Sequence, residues 1–439
     1  LVGVREREAY ANLLLPRMLR ERGIGGRDAA FATELGYGTL RARGTYDAVL
    51  AACTDRALAG VDPEVLDVLR LGAHQLLGMR TPPHAAVSAT VALCRAATGP
   101  RPTGFVNAVL RRVAAHDLDG WTACLAPAVE EDPVAYLAFR HAHPAWIVRA
   151  FADVLDGDWG QVEAALAADN SPAAVTLAAR PGRCSREALL AAGAEPSRWS
   201  PYGAVLPGGD PGAVEAVRTG AAGVQDEGSQ LVALALAAAP IHGADELWLD
   251  SCAGPGGKAA LLAGLAAERG ARLLAADVAP HRARLVGDTL EGVPAARVVA
   301  ADATVPPWPA ARFDRVLVDV PCSGLGALRR RPEARWRREP ADIGRLFGLQ
   351  TALLDRAIRA ARPGGLIGYV TCSPHRTESA GVVHTARTGA DADGIGTELV
   401  DAVALLPQVP DLAAGPFVQL WPHRHGTDAM FLALLLRTR

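Results

Sequence analysis

Apolar residues recur at helical spacing along the first quarter of the chain. Tyr10, Leu13, Leu14 and Met18 fall on one helical face, as do Val65, Val68, Leu69 and Leu76. Phe105, Val106, Val109, Leu110 and Val113 repeat the pattern, and Arg111 and Arg112 close that helix. Breakers at Gly23 to Gly26, Gly60 to Pro63, Thr81 to Pro83 and Gly99 to Gly104 separate the helices. Residues 1–116 therefore predict an all-helical bundle. Residues 117–168 read as a helical connector punctuated by Pro127, Pro133 and Pro144. Over 169–223 the period changes. Ala174 to Leu177 alternates as a strand does, Arg186 to Ala192 suits a short helix, and Gly203 to Leu206 suits a second strand. A small α/β subdomain is expected there.

From residue 224 to 439 the pattern is strand, turn, helix, repeated. Five strands are expected: Leu247 to Asp250, Ala271 to Asp277, Arg297 to Asp302, Phe313 to Asp319 and Leu366 to Cys372. Alternating strands and helices predict a parallel, doubly wound sheet, which binds ligands beyond the carboxyl ends of its strands. Four of the five expected strands close on an aspartate and the fifth on a cysteine. One such acid could cap the following helix; four in succession point to a site.

Composition narrows the class. The chain has 439 residues, half of them hydrophobic, so two or three globular domains are expected. No apolar run approaches the roughly 20 residues needed to cross a bilayer, and charge at Arg5 to Glu8 argues against a signal peptide. A soluble cytoplasmic protein without a membrane partner is the expectation, and nothing in the sequence asks for more than a monomer. The seven cysteines are widely spaced and include no C-x-x-C pair, which suggests neither a metal site nor a disulfide framework. Net charge is only −2, yet residues 1–116 hold 15 arginines against 10 acids. The stretch 329–338 adds Arg329, Arg330, Arg331, Arg335, Arg337 and Arg338 around Trp336. Clustered positive charge is the form that grips phosphate, although a solvated surface would look the same. Of the 45 basic residues, 44 are arginine and one is lysine, Lys258. A chain that uses arginine everywhere else keeps a compact ammonium there.

Lys258 closes the loop Cys252-Ala253-Gly254-Pro255-Gly256-Gly257-Lys258, which follows a strand and opens a helix. Cys252 and Ala259 stand where a P-loop would need glycine and a hydroxyl, and Ala259 also breaks the dinucleotide pattern. What remains is a backbone that a ligand can approach closely. Asp277 suits the ribose hydroxyls of a nucleoside, and Asp302 an adenine amino group. A nucleoside without pyrophosphate fits, and S-adenosylmethionine meets that description.

Two thiols stand at strand ends. Asp319-Val-Pro-Cys322-Ser323 brings an acid and a thiol together, and Thr371-Cys372-Ser373 brings a second thiol. Carbon 5 of cytosine is a poor nucleophile until a thiolate adds at carbon 6. That chemistry needs a thiolate, an acid near ring nitrogen 3 and a methyl donor. Lys258 nearby would favour the thiolate.

These segments resemble the RNA 5-methylcytosine methyltransferases of the RsmB (Sun/Fmu) type. Gln225 to Gln230 and Gly426-Thr427-Asp428 match that family too. The resemblance implies a Rossmann-like class I methyltransferase sheet with S-adenosylmethionine as cofactor. It makes Cys372 the nucleophile and Cys322 the thiol that assists product release. Asp319 would hold the base, and Cys252 to Lys258, Asp277, Arg282, Asp302 and Asp319 would line the cofactor site. Gly104 to Arg112 is similar to the NusB family of RNA-binding domains, an extension that implies 16S ribosomal RNA as substrate. Arg111, Arg112, Arg329, Arg330, Arg331 and Arg335 are the candidate RNA contacts. Another RNA such as tRNA, a DNA cytosine methyltransferase and a non-catalytic RNA-binding assembly factor are the alternatives. The second of these would use the Pro-Cys thiol and a Glu-Asn-Val segment, which the sequence lacks.

Overall fold

A computed structural model describes residues 1–412 and 415–439. The chain divides into two units, Leu1–Ser171 with Leu328–Arg338, and Pro172–Ala327 with Glu339–Arg439.

The first unit is helical throughout. Tyr46, Val49 and Leu50 of helix Arg43–Ala52 meet Val65, Val68 and Leu69 of Pro63–Leu77 and Val106, Val109 and Leu110 of Thr103–Val113. The apolar stripe expected from the 3.6 period is thus buried in two of the three places expected. Tyr10 and Leu13 are the exception and stay exposed. Helix starts are locally encoded: the Asp62 carboxylate accepts the Glu64 N–H at 2.9 Å, with Pro63 as the first helical residue. The helical run does not stop at residue 116. Helices Pro133–Arg140, Ala145–Val154 and Trp159–Asp169 belong to the same unit.

The segment 328–338, expected as a basic stretch that grips phosphate, folds with these helices. Arg335 is wholly buried and donates to the carbonyls of Arg41 (3.3 Å), Ala142 (3.2 Å) and Asp169 (3.3 Å), and to Asn170 Oδ1 (2.9 Å). Burial pulls its guanidinium down to about 10. Trp336 donates its indole N–H to the Leu40 carbonyl at 2.8 Å and lies against Gly44, where a Cβ would stand 2.3 Å from the ring. Arg337 donates to the carbonyls of Val4, Glu8 and Ala9. Of the six RNA-contact candidates, Arg335 is therefore out of reach of phosphate, because its guanidinium is wholly buried and holds four acceptors of the helical unit.

The second unit opens with a small antiparallel sheet of β1 (Val175–Ala179), β2 (Glu195–Pro196), β3 (Gly203–Leu206) and β4 (Ala222–Val224), in the order β2-β3-β1-β4. The large sheet holds β5 (Leu247–Asp250), β6 (Arg272–Asp277), β7 (Ala296–Ala300), β8 (Phe313–Asp319), β9 (Ala361–Thr371), β10 (Thr397–Val400), β11 (Val418–Gln419) and β12 (Phe431–Arg437). Its order is β10-β12-β9-β8-β5-β6-β7, with β11 paired to β12. The five expected strands run parallel, but β12 pairs antiparallel with both β9 and β10, so the sheet is mixed. Strand β7 ends at Ala300, leaving Asp302 in the loop beyond it.

Both faces of the sheet are apolar at period two. Trp248, Leu317, Leu366, Leu432 and Leu434 pack with helices Glu227–Ala238 and Gly257–Glu268. Leu249, Val316, Val318, Ile367, Tyr369 and Leu435 pack with Pro340–Ala360 and Val382–Ala392. Double coverage is why these strands read as apolar runs in the sequence. The chain leaves β5 toward β6 and β7 on one side and returns to β8 and β9 on the other. The order reverses between β5 and β8, and sheets of this kind bind ligands beyond the carboxyl ends of the strands at such a point.

Candidate active site

The glycine loop leaves β5 at Asp250 and is tied to both neighbouring strands. Ser251 N–H donates to the Leu317 carbonyl (3.0 Å) and Ala253 N–H to that of Ala276 (2.8 Å). A Cβ at Gly254 would lie 2.4 Å from Asp277 Oδ2, so only glycine fits there. Asp277 in turn accepts the N–H of Gly254 (3.0 Å) and of Ala279 (2.9 Å), and Arg282 pairs with it at 3.4 Å. Gly256, with φ +115°, starts the helix that carries Lys258. Asp302 is exposed and accepts from the Thr304 N–H and hydroxyl, which hold its carboxyl below the ordinary value.

Asp250 is the acid at the centre. Its Oδ1 accepts the Cys252 N–H at 3.3 Å, while Oδ2 is buried without a partner. Burial, and then the charge of Asp319, push its pKa up to about 7. This set fits S-adenosylmethionine. The loop lets a ligand approach bare backbone, and the orphaned Asp250 oxygen can accept from a donor.

Lys258 Nζ donates to Asp319 Oδ2 at 2.8 Å. Burial works against its charge, but Asp319 outweighs it and raises the ammonium above its ordinary value. Next to this pair, Cys322 Sγ and Cys372 Sγ lie 3.2 Å apart, both half-buried. The hydrogen bond between them lowers the first ionisation, at Cys322, against the effect of burial. The same bond and then burial drive Cys372 well above the ordinary thiol. The two thiols therefore give up their protons in two steps, the first more easily than the second. Burial also pushes the Cys252 thiol up, which leaves it inert at neutral pH.

Two features escaped the sequence reading. Gly326 N–H donates to the Cys372 carbonyl (2.8 Å), and its own carbonyl accepts the Ala429 N–H (2.8 Å). A Cβ there would lie 2.1 Å from the Ala429 oxygen. Glu378, wholly buried, accepts the Ser323 N–H (2.8 Å), the Ser373 hydroxyl (2.7 Å) and the Gln350 amide (3.0 Å). No motif flags an acid six residues past a cysteine.

The flanking motifs prove to be ties within the second unit. Asp226 Oδ1 accepts the N–H of Gly228 (2.9 Å) and of Asp428 (3.0 Å), and Glu227 accepts those of Trp199 and Ser200. In the first unit, Arg111 and Arg112 are exposed at the end of their helix. Arg329 is buried and Arg330 half-buried, while Arg331 is exposed with its guanidinium 5.0 Å from the centre of the Tyr10 ring.

Residues 236–436 match the family described as 16S rRNA methyltransferase RsmB/F, and residues 1–115 match the NusB family. A putative methyltransferase of Mycobacterium tuberculosis is 52% identical over 440 residues, covering 100% of this chain and 94% of that protein. The ribosomal RNA small subunit methyltransferase B of Xylella fastidiosa is 35% identical, covering 94% of this chain and 90% of its own length. Among solved structures, PH0851 shares the fold with a TM-score of 0.77 at 21% identity, over 96% of this chain and 93% of that one. Similarity of this depth along nearly the whole length means that the chain belongs to the RsmB/F family of RNA methyltransferases.

Proposed function

We propose that this enzyme forms 5-methylcytosine in small-subunit (16S) ribosomal RNA, with Cys372 adding to carbon 6 of the target base. The contact between Cys322 and Cys372, 3.2 Å apart beside the Lys258–Asp319 pair, carries the reading. A buried thiol alone is ordinary; two in contact at adjacent strand ends, with an ion pair next to them, suit covalent catalysis. S-adenosylmethionine is the cofactor, and when bound it supplies an electrophilic methyl group.

The residues divide the work as follows. The Cys372 sulfur bonds to carbon 6 after its own proton is given up to solvent, while Cys322 keeps its S–H. The ring electrons move toward carbon 5 and nitrogen 3, where Asp319, backed by the Lys258 ammonium, meets the base. Carbon 5 then takes the methyl group. A base removes the proton from carbon 5, the double bond re-forms, and the carbon–sulfur bond breaks. The Cys322 S–H donates to the departing Cys372 thiolate and so favours release. Arg111, Arg112, Arg330 and Arg331 are the proposed phosphate contacts, with Arg329 less accessible.

Two substitutions separate these roles. C372A is expected to abolish both methyl transfer and the covalent enzyme–RNA complex. C322A is expected to accumulate that complex on denaturing gels, because the adduct forms but releases slowly. The reverse pattern would make Cys322 the nucleophile and overturn the reading. Bisulfite mapping of ribosomal RNA from a deletion strain locates the base; an unchanged 16S pattern would move the substrate to another RNA.

A further inference from the structure

The Glu378 carboxyl is a buried acid beside the thiols that the proposed chemistry does not use. It lies in a single π-helical turn, Thr377–Gly381, and is wholly inaccessible to solvent. Among the described residues no lysine or arginine pairs with it. Its oxygens are instead filled by neutral donors: Ser323 N–H and the Gln350 amide on Oε1, and the hydroxyls of Ser373 and Ser323 on Oε2. Burying a carboxyl group is costly unless its oxygens are hydrogen-bonded, and here both are. Packing alone would be met more cheaply by an apolar side chain.

The donors explain the choice. Ser323 directly follows Cys322, and Ser373 directly follows Cys372. Gln350, reaching in from helix Pro340–Ala360, also donates to the carbonyl of Pro321, the residue before Cys322 (2.9 Å). Tyr369, on the strand that delivers Cys372, donates its hydroxyl to the Glu378 backbone carbonyl at 2.5 Å. One acid thus holds the chain next to both sulfurs. Both thiol turns lie past the last residues of β8 and β9, where the other direct ties between them are the Gly326 N–H to Cys372 carbonyl bond (2.8 Å) and the contact of the Ser323 and Ser373 hydroxyls (3.0 Å).

We infer that Glu378 is a positioning residue, a clamp that joins the two thiol-bearing turns and sets the distance between their sulfurs. The inference rests on the two-thiol reading of the site. Its physical content, the sulfur separation, can be read without any methylation. Diamide oxidises two neighbouring thiols to a disulfide and is itself reduced to the hydrazine, taking up both thiol protons. Its rate with this pair reports how often the sulfurs meet.

The test uses the full chain with three kinds of variant. E378Q keeps the shape and one acceptor oxygen. E378L keeps neither acceptor. S323A and S373A each remove one hydroxyl and leave the acid in place. Cys322–Cys372 disulfide formation is followed by mass mapping, with C322A as the blank. The expected order is wild type, then E378Q, then E378L, with a loss of roughly 10- to 100-fold at the end of the series, the range produced by displacements near 1 Å. In methyl transfer, kcat should fall in the same order, while KM for RNA and the dissociation constant for S-adenosylmethionine stay within about twofold. If E378L does not fold, S323A and S373A decide, and each should slow the disulfide severalfold. Wild-type disulfide rates in folded E378Q and in both serine variants would overturn the clamp. So would a parallel loss of cofactor affinity, which marks general disorder. A wild type that forms the disulfide readily but methylates no RNA would overturn the function and leave the clamp standing.

Discussion

A carboxylate closed off from water at the end of a strand keeps its proton longer than one in solvent, and Asp250 does so up to about pH 7. The unfolded chain releases the same proton near pH 4. The folded state binds it more tightly, so this group's contribution to stability is fully present below about pH 4. It declines as pH rises and is lost above about pH 7, a change on the order of 4 kcal/mol. D250N cannot titrate. Its thermal midpoint should carry a constant offset but lack the fall between pH 5 and 7.5 that the cofactor-free wild type shows in calorimetry; parallel profiles would refute the assignment. At this scale the sequence was informative wherever chemistry was rare. Lys258 stood out as the only lysine, and it does hold Asp319 at 2.8 Å. Glu378 did not stand out, because two of its partners, Gln350 and Ser323, are 28 and 55 residues away and nothing in a one-dimensional pattern joins them.

At the scale of elements, the alternation of apolar residues was enough to find β5, β6, β8 and β9, and their closing residues marked the site. Strand direction was not legible. Leu432 to Leu435 are apolar on both faces as a parallel strand would be, yet β12 runs antiparallel to β9. The basic stretch shows the opposite failure. Six arginines in ten residues look like a phosphate grip, but charge in a sequence carries no statement of burial. Arg335 spends its guanidinium on three carbonyls and an amide, whereas Arg331 lies at the surface over Tyr10. The two should separate cleanly. R335A strands several buried acceptors, at about 1–3 kcal/mol each, and should lower the thermal midpoint markedly. R331A should leave the midpoint within about 1 °C and raise KM for RNA several-fold, with a weaker salt dependence of binding. An R335A protein of full stability, or an R331A protein of full RNA affinity, would contradict these roles.

On the scale of the molecule, the division into a helical unit and an α/β unit was visible in the change of period, from 3.6 to strand–helix alternation. What the sequence hid was that unit boundaries are not sequence boundaries. Helices past residue 116 join the first unit, and so does a segment that arrives only at residues 328–338. That segment has a consequence for the order in which the protein comes into being. About three quarters of the chain must leave the ribosome before Arg335 exists to occupy the carbonyls of Arg41, Ala142 and Asp169. The unit whose synthesis begins at residue 1 is therefore not complete until residue 338 has been added. A nascent chain arrested before residue 328 has emerged should remain open to protease within residues 1–171, and one released past residue 338 should become resistant. Equal resistance at both lengths would show that the helices close without their late-arriving plug. For a domain that resembles an RNA binder, this delay keeps the helical unit incomplete while the chain is still attached to a ribosome, the class of particle whose RNA it is proposed to modify.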